Sequence, residues 1–447
     1  MRQRNFRPTA SNDREWQQER DQRSPSPRLT SRRDALTIPL TMLNTGELAR
    51  FRTSVEKELE GNIIPFWLEQ TIDNENGGFW GQISIEVNVD PKADKGLILV
   101  TRILWTFSRL FSHYRNLAFK EMANRAYDYL ISNYWDGDHG GTYWMIDFKG
   151  QPVETKKKTY GQAFTLYALS EYYLAFKQRS ALDKAKELFS LIEEKTRDSE
   201  HGGYFENFEK DWSLATDQRL SEVDMDEKKS MNTHLHLLEA YANLYRAWND
   251  PAVERKLADL LKIFLSHIVN PGNWHLRMFF RENWEPRSER ISFGHDIEAS
   301  WLLCEAADIL GDPAILASVR QTARMMAMSV MEDGVDVDGG LLYEAEKGEI
   351  VDDSKHWWPQ AEAVVGFLNA YQLTHEQPFL DAASASWQFI ERYIVDRRCG
   401  EWFSKVSREG IPSSEQYKVG TWKGPYHNCR ACLEAISRLT ELEKAAE

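Results

Sequence analysis

The 447-residue chain is 42% hydrophobic, enough for a sizeable core, but it has no run of 18 uninterrupted apolar residues, so a transmembrane helix is not expected. A formal net charge of −14 disfavours a polyanionic partner such as nucleic acid. Only four cysteines in so long a chain argue against a disulfide framework and for a reducing, cytoplasmic compartment.

Residues 1–44 stand apart. Met1 to Leu40 hold nine Arg, no Lys and five acids, with a Ser/Pro stretch at Ser24–Arg28 and no helical period. This tail is predicted to be disordered. It lacks the apolar segment of a secretory signal. It reads as an incidental extension, with Met42 as an alternative start, and residues 45–447 are expected to form the functional domain.

Beyond the tail a punctuation mark recurs: an Asp, three residues, Gly-Gly, then aromatics. It occurs at Asp73 with Gly77-Gly78, at Asp136 with Gly140-Gly141, and at Asp198 with Gly202-Gly203. Degenerate copies follow at Asp336 with Gly339-Gly340, at Asp396 with Gly400, and weakly at Asn270-Pro271-Gly272. The first glycines, 77, 140, 202, 272, 339 and 400, are separated by 63, 62, 70, 67 and 61 residues. Asp followed by Gly-Gly suits turns with positive φ, and the aromatics after it suit short hairpins.

Between the marks the period is helical, as in Val364, Phe367, Leu368 and Tyr371. Helices are predicted near 46–70, 95–115, 118–134, 157–177, 180–197, 229–248, 252–268, 295–311, 313–331, 356–374, 377–394 and 425–443. Residues 232–248 are apolar on two faces, as a helix covered on both sides requires. Twelve helices, two between successive turns, predict an all-α fold. Its economical closed form is an (α/α)6 barrel with short hairpins in the long loops at one end; an open solenoid is the alternative.

In such a ring the long turns feed the inner helices, and reactive residues collect there. The segments opening these helices carry Arg102; Tyr160; Asn232 and His236; His295 and Glu298; His356, Trp357, Trp358 and Glu362; and Trp422 and His427. Asn232 and His236 are four apart and share a helix face, which leaves His234 as a packed core residue. His295 and Glu298 are three apart, so the carboxylate is expected to orient the imidazole or raise its pKa. His139 and His201 fall inside turns, where structural hydrogen bonds are expected. His113, His267 and His375 read as surface or capping residues.

Two imidazoles titrating near neutrality suit removal and return of a proton at a carbon beside a carbonyl, one on each face. Other chemistries fit less well. A zinc site needs a closed Cys/His set, and Cys429 and Cys432 form one CxxC with no second pair. No phosphate- or dinucleotide-binding glycine motif is present, so neither metal nor cofactor is expected. A glycoside hydrolase would rely on Glu298 and Glu362 astride the scissile bond. A noncatalytic sugar-binding barrel is a further alternative.

The runs KSMNTHLHLLEAYANLYR (229–246), RISFGHDIEASWLL (290–303), KHWWPQAEAVVGFLNAYQL (355–373) and KGPYHNCRACLE (423–434) resemble cellobiose 2-epimerases, of the N-acylglucosamine 2-epimerase superfamily of (α/α)6 barrels. KGLILVTRILWTFS (95–108) and YGQAFTLYALSEYY (160–173) match as well, and the resemblance spans roughly residues 46–440. It implies C2 epimerisation of the reducing-end glucose of β-1,4 disaccharides, cellobiose to glucosyl-mannose and lactose to epilactose, through a cis-enediolate and without a cofactor. An N-acylglucosamine 2-epimerase or a monosaccharide aldose–ketose isomerase is the alternative on the same barrel. By resemblance His295 and His427 are the acid/base pair, and His236 assists ring opening or polarises the carbonyl. Arg102 and Asn232 hold the enediolate, Glu298 orients His295, Trp358 and Trp422 stack on the sugars, and Trp357 and Glu362 complete the pocket. Tyr160 lies on a matching motif and is placed with the binding residues. A monomer is expected, with a dimer as the alternative, and no membrane partner. The sequence departs from the family in its Arg-rich tail and in an uneven fourth repeat, residues 270–292, expected to lengthen a loop over the mouth.

Overall fold

Helices and very short strands alternate along residues 45–446, the part of the chain that the computed structural model describes; the predicted disordered tail, residues 1–44, lies outside it. Helix α1 (Thr45–Glu58) passes through a π-helical turn (Leu59–Ile63) into α2 (Ile64–Glu69), making one rod. The rest are α3 (Leu97–Tyr114), α4 (Leu117–Tyr129), α5 (Thr159–Phe176), α6 (Arg179–Lys195), α7 (Met231–Ala247), α8 (Pro251–Ile263), α9 (Phe293–Leu310), α10 (Pro313–Asp333), α11 (Trp357–Thr374), α12 (Gln377–Phe389) and α13 (Tyr426–Ala446). The described residues thus form twelve helical rods, at the expected places. None is long and apolar enough to cross a membrane.

Two sequence patterns sort these rods. In α6 the buried residues Ala181, Leu182, Ala185, Leu188, Phe189 and Ile192 form one apolar stripe, as in a helix with one face to solvent. In α5 and α11 nearly every residue of the first four turns is buried, polar ones included. The packing follows the pattern. Helices α3, α5, α7, α9, α11 and α13 each pack on the next, and α13 packs back on α3. On these lie α4, α6, α8, α10 and α12, while α1 covers α13. That last contact joins the two ends of the described chain. Arg52 Nε donates to Glu443 Oε1 at 2.9 Å, and Trp402 Nε1 donates to Glu58 Oε1 at 2.9 Å.

The six predicted turns are present, each closed by one antiparallel bridge: Ile72 with Phe79, Trp135 with Thr142, Arg197 with Tyr204, Val269 with Leu276, Val335 with Leu341, and Val395 with Trp402. The weak copy at Asn270 is therefore a true member. Gly203 shows why the turns need glycine: its φ is +76°, and a Cβ there would lie 2.4 Å from the Trp284 ring.

Several inner helices begin about two residues later than the periodicity suggests, because Lys95-Gly96, Lys157-Lys158, Lys229-Ser230 and Lys355-His356 are strands. These pair with strands from the following turn, for example Lys157-Lys158 with Asn207-Phe208. Lysines at these entries anchor the turns. Lys95 Nζ donates to Asp73 at 2.7 Å, Lys157 to Asp136 at 2.8 Å, and Lys229 to Asp198 at 2.7 Å. Lys355 pairs with Asp336 at 3.0 Å, and Lys418 with Asp396 at 2.8 Å. The fourth repeat reverses the arrangement: the base, His275, is on the turn and bonds Asp296 of α9 at 2.8 Å through Nδ1. The anchors thus tie each long turn to the N-terminal end of an inner helix.

Candidate active site

The N-terminal ends of the six inner helices surround a cavity of about 320 Å³. Arg102 comes from α3, Tyr160 from α5, Asn232 and His236 from α7, His295 and Glu298 from α9, Trp357 and Trp358 from α11, and His427 from α13; Trp422 precedes α13. Ten of the eleven residues expected from sequence line this cavity. The eleventh, Glu362, is fully buried behind His427 and accepts from its Nδ1 at 2.7 Å.

Each of the three imidazoles is held through Nδ1, which leaves Nε2 for the cavity. His236 Nδ1 donates to Glu239 Oε2 at 3.0 Å, and His295 Nδ1 meets Ser292 Oγ at 2.7 Å. Burial pushes His295 down to about 3, helped by the nearby His236, and lowers His236 despite the Glu239 carboxylate. His427 is held well below the usual range by burial and by the charges of Arg102 and Arg430. Burial thus favours the neutral, proton-accepting form of each ring in the ligand-free site, and the carboxylates behind His236 and His427 favour the charged form of those two.

The expectation that Glu298 orients His295 is not met. Glu298 accepts from Arg430 Nη2 at 2.6 Å, and the partner of His295 is the uncharged Ser292. Arg430 is a hub that sequence reading missed. Its Nη2 also donates to Glu362 at 2.7 Å, and its Nη1 bonds Glu239 and the Tyr426 hydroxyl. One buried guanidinium thus meets three buried carboxylates, two of which hold His236 and His427. Burial and the neighbouring Glu362 push Glu298 up to about 8, so it carries a proton and relieves the excess negative charge.

The same geometry weighs against two other chemistries. Ligand atoms of Glu298, Glu362 and His427 lie within 4.8 Å of one another, but Arg430 is the cation between the two carboxylates. Both carboxylates are bound to the same Arg430 nitrogen, which occupies the space a glycosidic bond would need between a catalytic carboxyl pair. Cys429 and Cys432 are packed inside α13, and burial holds both thiols well above their usual range.

Aromatic rings form the walls. The Trp358 ring lies 4.7 Å from His295 and 5.6 Å from His427. Trp422, 36% exposed, stands 5.8 Å from Tyr160 and 5.5 Å from Trp144. Arg102 donates to the Trp422 carbonyl and, at 3.3 Å, to the Tyr160 hydroxyl, and its guanidinium lies over Phe164. His356 stacks on Tyr343 at 3.8 Å. Five lining residues have a buried polar atom without a protein partner: Arg102 Nε, Glu206 Oε1, Asn232 Oδ1, His356 Nε2 and Trp357 Nε1. His234, by contrast, is satisfied in the core, with Nδ1 on the Ser230 carbonyl at 2.7 Å and Nε2 accepting from Tyr204 N at 3.0 Å.

The lengthened loop is not where sequence spacing placed it. Of residues 270–292 only Met278 and Phe279 line the cavity, whereas seven lining residues fall between Gln218 and Glu227. The cause is a longer approach to α7: residues 204–230 separate Gly203 from Met231, against residues 142–158 between Gly141 and Thr159.

The N-acylglucosamine 2-epimerase (GlcNAc 2-epimerase) family model matches residues 78–431. The chain is 42% identical over 387 residues to a cellobiose 2-epimerase of Bacteroides fragilis, covering 86% of this chain and 98% of that protein. It is 41% identical over 394 residues to a cellobiose 2-epimerase of Dictyoglomus turgidum, covering 88% and 100%. The solved cellobiose 2-epimerase of Bacillus thermoamylovorans aligns with a TM-score of 0.84 at 39% identity, covering 87% of this chain and all of that one.

Proposed function

Because the chain belongs to the N-acylglucosamine 2-epimerase family, we propose that it is a cellobiose 2-epimerase, a carbohydrate isomerase that inverts C2 of the reducing-end glucose in β-1,4 disaccharides. The observation that carries the chemistry is the pair His295 and His427, on two inner helices with α11 between them, both against the Trp358 ring. We read the closed cycle of helix contacts as an (α/α)6 barrel and residues 45–447 as one catalytic domain. Action as a cytoplasmic monomer belongs to the same reading.

The steps follow from the partners of each ring. The sugar opens, and His236, held by Glu239, assists ring opening or polarises the O1 carbonyl. One neutral imidazole takes the C2 proton through Nε2, and the C–H electron pair enters the cis-enediolate. Arg102, itself buried, and Asn232 stabilise the oxyanion, a contact that gains strength away from solvent. The other imidazole enters the step already protonated on Nε2 and gives that proton to C2 on the opposite face, while the first keeps the proton it took. Glu362 offsets the charge of His427 while that ring carries its extra proton, whereas His295, on an uncharged hydroxyl, is the better initial base. The roles exchange in the reverse direction. Trp358 and Trp422 provide apolar faces for the two sugar rings.

Proton NMR of the protein with cellobiose in D2O tests the reading beside a His427→Ala control. A mannose-type anomeric signal with deuterium at C2, lost in the variant, supports it; glucose release or an unchanged spectrum overturns it.

A further inference from the structure

Glu206 lines the cavity yet has no part in the proton transfers. It is 1% exposed, in the segment after the third Gly-Gly turn. Its Oε2 accepts from Ser230 Oγ at 2.7 Å and from Thr233 Oγ1. Ser230 is the N-cap of α7, the helix that carries Asn232 and His236. Those two bonds account for one carboxylate oxygen. The other, Oε1, is buried and has no partner.

A carboxylate is a costly residue for anchoring a helix end, because a buried acceptor left unmatched loses its hydration without return. The polar groups around Glu206 are already engaged. Gln218, which also lines the cavity, accepts from Asn207 N and donates to the Asn207 and Ala215 carbonyls. Lys158 Nζ donates to the Leu220 carbonyl at 2.9 Å. On the same side of the site, Asn232 Oδ1 is likewise unpartnered. Two free acceptors on one wall of a sugar-sized cavity match a ligand rich in hydroxyl donors.

We propose that Glu206 is a substrate-positioning residue whose free Oε1 accepts a hydrogen bond from a sugar hydroxyl other than those at the reacting carbons. This rests on the epimerase reading and adds a specificity contact to it. The Oε2 bonds to Ser230 and Thr233 fix the carboxylate against the entry of α7, so the contact is built in register with Asn232 and His236. A rigid acceptor of this kind selects for one hydroxyl, since a substrate lacking it leaves the buried oxygen unmatched.

The test is a set of cellobiose analogues, each lacking one hydroxyl away from C1 and C2, assayed as kcat/KM with the wild type, Glu206→Ala and Glu206→Gln. A buried acceptor left unmatched corresponds to a penalty of about five- to a hundred-fold. The expected result is that penalty for one analogue with the wild type and its loss in Glu206→Ala, which should treat that analogue no worse than cellobiose. Glu206→Gln can keep an amide oxygen on Ser230 and Thr233 and turn an N–H to the cavity, so it reports on the cavity side should the alanine variant fail to fold; its discrimination should fall but not vanish, because a hydroxyl can also accept. Equal treatment of all analogues by the wild type, or a penalty that persists undiminished in both variants, overturns the inference and leaves Glu206 as an anchor of α7. A wild type inactive on cellobiose fails the epimerase reading itself, which the variants need not be made to reveal.

Discussion

Glu362 Oε1 accepts from His427 Nδ1 at 2.7 Å, and both groups are buried. The carboxylate fixes the tautomer of the ring and offsets its charge when protonated. Glu362→Gln keeps the shape but not the charge. Turnover of cellobiose should fall about a hundred-fold, within the usual range for a disturbed acid–base group, with little change in KM. Steady-state kinetics with exchange at C2 followed in D2O will show it, and a KM effect alone would contradict the assignment.

Arg430 contacts Glu239, Glu298 and Glu362 together and is the cation for the two that stay charged. Arg430→Met should destabilise the protein by about 3–5 kcal/mol, because it leaves buried carboxylates without their cation. Adding Glu362→Gln, which removes one of the charges left unpaired, should recover part of that loss. Denaturant titration of the single and double variants measures the coupling.

His275 stands where the other turns use lysine anchors, and its ordinary pKa is about 6.5. Bonds to Asp296 at 2.8 Å and Asp333 at 3.1 Å raise its pKa above the usual histidine value, against the opposing and larger single effect of burial. Its contribution to stability is complete below the unfolded pKa of about 6.5 and is lost as pH rises through the higher folded value. Unfolding free energy measured from slightly acid to slightly alkaline pH should therefore fall more steeply in the wild type than in His275→Gln.

Gly203 has φ of +76° with Trp284 and His234 packed against it. Gly203→Ala should cost about 1–3 kcal/mol through backbone strain alone, and more through the clash with Trp284. Gly202, with φ of +71° and open space around it, should tolerate alanine better. The difference in thermal midpoint between the two variants isolates the packing part.

The elements legible in sequence were those set by local spacing. Gly-Gly turns and the 3.6-residue period placed the twelve rods, and the identity of the residue at each inner-helix entry assembled the cavity list. The buried charge network was not legible, because its partners lie far apart in the chain: Arg430 is 191 residues from Glu239 and 132 from Glu298. A cue did exist, since Glu239 is three residues after His236 and Arg430 three after His427, the spacing that puts both on the site's helix faces. Glu298 misled for the same reason. Its spacing from His295 was right for contact, but Arg430 offered a stronger partner. The cover loop was misplaced because the interval of 70 residues gave only the extra length, not which side of α8 held it.

Closure through α13 has a consequence for synthesis. Residues 426–446 are synthesised after the other inner helices, and they bring His427, Arg430 and the surface that α1 covers. Until then the chain lacks the guanidinium that Glu239, Glu298 and Glu362 share, and the helix that packs between α11 and α3. The fold thus gains His427, the shared guanidinium and its closed wall from one helix, made after the other five inner helices.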